Sequence, residues 1–323
     1  MPFDVSQIAV PFRMQPGLRR AAPGSMPLTP ALQSGRHFRE KMAVLSACAD
    51  QALVGVAGFD AAPALAAIAA EASRAPRPAF TFDRAGNECA APRIGWAIRD
   101  GAVHGDGDAA VGALLRALPE RQRIAALLSL AFEEDLAVID ASARVPWLAV
   151  CLPSRWAPED KIGRHLAEIH APVADNAMLV AASEQLARLV TGPERWERFV
   201  WTVSADPRLH QHPARAAATW AVDADSDADN DTDGEALAAQ ASFRSEHQTF
   251  LPVDGAGQAV FTIHIDSEPL RQAIGSRELA VRVRDSLASM SPAVLAYRGL
   301  DKARDRLLAW LSARADSLPA SAA

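Results

Sequence analysis

Residues 243–266 read FRSEHQTFLPVDGAGQAVFTIHID. Two runs rich in β-branched and aromatic residues flank Asp254-Gly255-Ala256-Gly257, the composition of a hairpin turn. We read strands over 243–253 and 259–266. Strand alternation places Arg244, Glu246 and Gln248 on one face and Phe243, Ser245, His247 and Thr249 on the other. The second strand sets Phe261, Ile263 and Ile265 against Thr262 and His264. A row of three polar groups suits a wet sheet face. It equally suits a cavity wall that holds an anion and a small amine. Residues 196–204 (WERFVWTVS) carry Phe199, Trp201 and Val203 at the same period and add a half-buried strand.

Outward from this sheet lies 145–173, VPWLAVCLPSRWAPEDKIGRHLAEIHAPV. Its apolar run 147–152 reads as a strand ended by Pro153 and Ser154. A helix is expected from Ala157-Pro158-Glu159-Asp160 onward, stopping at Ala171-Pro172. On that helix Lys161 and His165 share one face, while Ile162, Leu166 and Ile169 form the apolar one. His165 and His170 stand about 140° apart, so they cannot both face one metal. His170, at the helix end beside the apolar stripe, either caps the turn or reaches into a hydrophobic cavity.

Before this stretch, residues 1–36 are rich in Pro, Gly and Arg and read as an extended arm footed by Phe12, Met14 and Leu18. Arg13 faces solvent or an anion. A helix follows Gly35, with His37 at its surface or making a local hydrogen bond. Residues 61–76 are an Ala-rich helix. Strands are expected over 80–83 and 93–100, with His104 in a loop, then helices over 109–118 and 120–139. Glu133, Glu134 and Asp135 read as a solvated face; any one turned inward needs a partner. After the stretch, Asp175 should cap a helix over 176–190, His210 and His212 fall in a loop as a solvent-exposed or loop-capping pair, and 223–235 is an acidic solvated insertion. The chain closes in helices over 270–274, 277–290 and 292–314. The main sheet is expected to use strands near 94–99, 147–152, 198–204, 243–252 and 259–266. The sum is an α+β fold with an antiparallel sheet, surrounding helices, an N-terminal arm and C-terminal helices. We divide the chain into the arm (1–36), one domain (37–315, with 221–240 a flexible acidic insertion) and a tail (316–323).

Composition narrows the function. Half of the 323 residues are apolar, enough for a substantial core. The net charge of -6 comes from 33 basic and 39 acidic residues. Seven of those acids lie in Asp223, Asp225, Asp227, Asp229, Asp231, Asp233 and Glu235, so the remaining body is near neutral and lacks the basic excess of a nucleic-acid binder. Cys48, Cys89 and Cys151 are too few for a four-thiolate cluster and form no CxxC pair. No secretory signal or membrane span is expected, and a cytoplasmic location follows as the default. Asp229, Asp231 and Asp233 imitate the start of a calcium loop, but its twelfth position is Gln240 rather than Glu. HExxH, GxSxG, the Walker loop and a strand followed by GxGxxG are all missing.

Several motifs occur together in order: Pro11-Phe12-Arg13-Met14-Gln15-Pro16-Gly17-Leu18, Glu134-Asp135, Leu152-Pro153-Ser154-Arg155-Trp156, Lys161-Ile162-Gly163, and Ile169-His170-Ala171-Pro172-Val173. They continue in Glu246-His247-Gln248-Thr249, Leu251-Pro252, Phe261-Thr262-Ile263 and Tyr297-Arg298-Gly299-Leu300. With these the chain resembles the haem-binding alpha subunit of the haem-dependent oxidative N-demethylases. Relatives usually carry Glu-Arg-Gln-Thr-Leu where this chain has Glu246-His247-Gln248-Thr249-Phe250, and Ala174 replaces a second proline after Val173. The resemblance implies a PAS-like sheet-and-helix core holding haem b. It implies removal of a methyl group from a small secondary amine such as dimethylamine, using O2 and electrons from NADPH. Those electrons arrive through reductase subunits that carry flavin and an iron–sulfur cluster. On that basis His170 is the candidate iron ligand, with His165 and His247 as rivals. Arg13, Lys161 and Arg244 are candidate propionate partners, and Glu246, His247 and Gln248 candidate catalytic groups. A non-catalytic haem sensor and a haem-free scaffold domain are the alternatives.

Overall fold

The computed structural model of the protein describes residues 5–215, 218–220 and 230–319. Two antiparallel sheets are flanked by helices, an α+β arrangement consistent with a PAS-like fold. The larger sheet has seven strands. Its spatial order is β1 (Arg19–Arg20), β9 (Trp196–Ser204), β10 (Ser242–Val253), β11 (Gln258–Pro269), β7 (Asp135–Asp140), β8 (Trp147–Ala149) and β2 (Leu53–Gly55). The β10–β11 hairpin is its spine, paired without interruption from Ser242↔Pro269 to Val253↔Gln258. The smaller sheet is a four-strand meander of β3 (Thr81–Asp83), β4 (Glu88–Ala91), β5 (Trp96–Arg99) and β6 (Ala102–Gly105).

Three expectations for the sheets need correction. The strand near 94–99 belongs to the small meander, not to the main sheet, and His104 lies in β6 rather than a loop. The helix expected over 120–139 ends at Ala131, and Asp135–Asp140 is a strand. That strand sits between β11 and β8, so five of its six residues are buried on both sides and no period-two signal survives.

The helices α1 (Arg36–Ala52), α2 (Ala62–Ala72), α3 (Ala109–Ala117) and α4 (Glu120–Ala131) build one apolar core, with Leu251, Val253, Val260 and Val138 of the main sheet among its members. A second core joins Trp201, Val203 and Phe243 to α8 (Asn230–Gln240), α9 (Leu270–Ala273), α10 (Arg277–Ala288), α11 (Pro292–Arg298) and α12 (Arg304–Ser317). The single helix expected over 292–314 is two, because Gly299 (φ 65°) closes α11 in the left-handed conformation that glycine tolerates. The expected tail overlaps α12, and residues 320–323 lie outside the described ones. Of the acidic insertion, residues 221–229 also lie outside the described ones; 230–240 are helical rather than a loop.

A third core covers the remaining part of the main sheet. It combines Ala137, Ile139, Phe250 and Ala259 with Leu166, Ala187 and Val190 of α5 (Leu166–His170) and α7 (Ser183–Val190). Between them runs α6 (Ala177–Ala181). Asp175 does not cap α6: it has φ 53°, and its carboxylate accepts from the Ser291 hydroxyl. The arm spans two cores. Ile8, fully buried, belongs to the second, with Phe12 and Met14 packed against it, and Leu18 packs on the third.

The acids after α4 do not form a solvated face. Glu134 and Asp135 are both buried. Asp135 faces the ammonium of Lys41 at 3.2 Å and accepts from the backbone N–H groups of Cys151 (3.0 Å) and Leu152 (2.7 Å). His210 and His212 are buried as well, His210 on the Cys151 carbonyl and His212 on Glu159.

Candidate functional site

Alternation along β10 sends Arg244, Glu246 and Gln248 to one face, where they join a continuous polar chain. Arg198 of β9 pairs in register with Gln248 and donates to its Oε1 at 2.5 Å. Gln248 donates to Glu246 Oε2 at 2.5 Å, and the Ser154 hydroxyl donates to Glu246 Oε1. Arg244 Nε in turn donates to Ser154 Oγ at 2.9 Å. A carboxylate thus sits between two guanidinium groups, each one neutral residue away. Arg244 is 1% exposed and also bonds the carbonyls of Leu152, Arg208 and Leu209, so every part of its fork is engaged within the protein. Burial lowers the pKa of both Arg198 and Arg244, and the Glu246 charge opposes that. Ser154 is delivered by the turn after β8, bridged to Gln211. Neither Ser154 nor Arg198 was expected here; a register for 196–204 against 242–253 is the signal that would have found Arg198.

The segment before His170 differs from the expected helix. Residues 158–160 form a 3₁₀ turn, and Gly163 at φ 69° breaks the chain before α5 begins. Lys161 and His165 therefore share no helix face. His165 is the N-cap of α5: its Nδ1 accepts from Ala167 N–H (3.1 Å) and its Nε2 meets Glu184 at 2.9 Å. Both of its nitrogens are engaged.

His170 ends α5 as expected. Its Nδ1 lies 2.8 Å from the Leu166 carbonyl, which accepts only from a protonated nitrogen, so Nε2 keeps its lone pair. Burial, together with the Arg198 and Lys161 charges, pushes its pKa down to about 4. The imidazole is therefore neutral at pH 7. Ile162, Ile169 and Trp156 pack nearby against the third core. Lys161 is half-buried, and burial lowers its pKa. Arg13 is exposed on the arm.

His247 points to the opposite face. Its Nε2 meets Glu197 at 2.8 Å and its ring stacks on Phe199 with centroids 4.4 Å apart, so the sheet separates it from Glu246 and Gln248. Beside the polar chain, Trp156, Ile263 and Ile265 help to enclose a recess of about 10 Å³ around Glu246. A wider cleft of about 200 Å³ lies between Arg155, Arg208, Arg215 and His212.

A family model described as haem-dependent oxidative N-demethylase, alpha subunit-like, matches residues 112–308, more than half of the chain. The chain belongs to that family. The matched span contains α5, the Ser154 turn, the β10–β11 hairpin and the Tyr297-Arg298-Gly299 turn; the arm motif lies ahead of it. No curated protein matches the chain. Among the described residues no helix is long and apolar enough to cross a membrane.

The donor chemistry beside α5 fits a family of haem proteins. An imidazole whose Nδ1–H is fixed by a backbone carbonyl presents a neutral Nε2, the form in which histidine binds a metal. The 10 Å³ recess beside Glu246 holds one water at most.

Proposed function

We propose that this chain is a haem-binding subunit that oxidatively demethylates a small secondary amine. The observation that carries the reading is the neutral His170, with Nε2 open and within electrostatic reach of Arg198, at one end of the polar chain that leads to Glu246. Haem b, when bound, supplies the iron that activates O2. His170 would hold that iron. Lys161, whose ammonium has no hydrogen-bond partner among the described residues, is the propionate partner that remains available. Arg244 is engaged by protein acceptors, and Arg13 reaches a propionate only from the arm.

Glu246 then has the task of holding the ammonium form of the substrate, for which the recess of about 10 Å³ beside it has to widen. Ser154 and Gln248 fix both of its oxygens, which orients the carboxylate before the amine arrives. Methyl removal delivers one atom of O2 to formaldehyde and the other to water, and it consumes two electrons and two protons. A reductase partner carrying flavin and an iron–sulfur cluster would supply the electrons, since the three cysteines here are free and dispersed. His247, across the sheet, is left with a supporting role on Glu197.

Hemin titration tests the reading. Wild type should develop a Soret band that shifts on adding dimethylamine, and His170→Ala should change it; an unchanged band removes His170 as the ligand. Haem-loaded protein with a reductant system should release formaldehyde from dimethylamine. Full loading without formaldehyde from any methylamine ends the demethylase reading, and a spectrum that answers carbon monoxide but no amine points to a sensor.

A further inference from the structure

His264 pairs in register with His247 and so lies on the sheet face opposite Glu246 and Gln248. There it meets His37 of α1 and Glu133 of the α4–β7 connection. One donor atom from each of the three residues lies within 4.8 Å of the other two. His37 Nδ1 is 3.7 Å from Glu133 Oε2, and the two imidazole centroids are 5.2 Å apart.

The other ring nitrogens are already fixed. His37 Nε2 bonds the Ile265 carbonyl at 2.7 Å. His264 Nδ1 bonds Glu134 Oε1 at 3.1 Å, and Glu134 is itself buried and accepts from Thr29 N–H at 2.8 Å. A carbonyl behind one imidazole and a carboxylate behind the other is the outer shell that metal-binding histidines carry. It leaves His37 Nδ1 and His264 Nε2 as the inward donors. The nearby cation, Lys41, is held by Asp135 and by the carbonyls of Phe132 and Glu134.

We propose that His37, Glu133 and His264 form a binding site for a borderline divalent transition metal, with zinc as the ion and a water as the fourth ligand. Two imidazoles and one carboxylate with an open position match zinc donor preferences. Donors on a tetrahedral zinc, with bonds of ~2.0–2.1 Å, stand roughly 3.3 Å apart. The His37–Glu133 pair is nearly there, and side-chain rotation of half-buried groups supplies the rest. A bound ion would tie α1, the α4–β7 connection and β11 to one point. The site shares no residue with the haem reading.

Isothermal titration of chelator-treated full-length protein with Zn²⁺ tests this, with Co²⁺ absorption as the readout of coordination. One equivalent should bind, Tm should rise, and Co²⁺ should give the intense bands of a four-coordinate site. His37→Ala and His264→Ala should each abolish that equivalent. Glu134→Gln, which removes no ligand, should weaken it about 10- to 100-fold. Where a histidine variant fails to fold, Glu133→Gln in the α4–β7 connection serves instead and should also lose the ion. The hemin Soret band should be the same in wild type and Glu133→Gln. No saturable equivalent, or an equivalent that survives the loss of these ligands, overturns the proposal.

Discussion

Lys41 has no exposed surface, and its ammonium meets Asp135 and two backbone carbonyls. Lys41→Met would leave a buried carboxylate without its cation and should cost about 3–5 kcal/mol in urea unfolding. Lys41→Met/Asp135→Asn should recover part of that, because the amide oxygen still accepts one of the N–H groups of Cys151 and Leu152. At Glu246, Gln keeps the size and removes the charge. With haem bound, Glu246→Gln should raise KM for dimethylamine about 10- to 100-fold, the scale of a lost charge-assisted hydrogen bond of about 1.5–3 kcal/mol. Its Soret band should be unchanged. Asp206 sets a pH dependence. Burial alone would raise its pKa, but the hydrogen bonds and charge of Arg208 more than reverse this, and the folded pKa lies below the usual 3.8. A depressed carboxyl stabilises the fold above its unfolded pKa, and that stability is lost as pH falls through the folded value. Tm should therefore drop more steeply below pH 4 in wild type than in Asp206→Asn.

At the scale of elements, the Gly299 cap of α11 makes a sharp test. A methyl there would have to sit in a left-handed conformation and 2.6 Å from Arg155 Nη1, whose guanidinium holds the Arg298 carbonyl. Gly299→Ala should cost about 1–2 kcal/mol, read as a lower Tm. Elements were legible in the sequence where strand-forming residues alternate with polar ones beside a turn signal. The β10–β11 hairpin was readable residue by residue from such runs on either side of Asp254-Gly255-Ala256-Gly257, β9 from its alternating aromatic residues, and the Arg244, Glu246 and Gln248 row followed from the alternation. β7 was not, because a strand covered on both sides carries no alternation. The break before α5 was hidden in a run with helical spacing, since the left-handed turn at Gly163 depends on its surroundings. Site partners were legible only when local. Ser154, Arg198 and His264 reach their partners through pairings between distant strands and turns, and such pairings leave no spacing to read.

At the scale of the whole molecule, the arm holds the body through Ile8, which has no exposed surface, and through hydrogen bonds from Arg282 to the Ile8 carbonyl and from Phe12 N–H to Ser289. Ile8→Ala should destabilise by about 2–5 kcal/mol, comparable to an interior core position and unlike a terminal residue. Protease should then cut the arm before the body, which a time course followed by mass spectrometry would show.

The unbroken pairing of β10 with β11 has a further consequence. Each twelve-residue strand runs its full length without a bulge, so neither has a place to absorb an extra residue. Substitution can alter the two surfaces of the hairpin separately, one bearing Glu246 and the other His247 and His264. A single codon inserted near the middle of β10 would instead exchange them on one side of the insertion, turning Phe243 to the face where the buried Arg244 now sits. In this hairpin, then, chain length is held more tightly than residue identity.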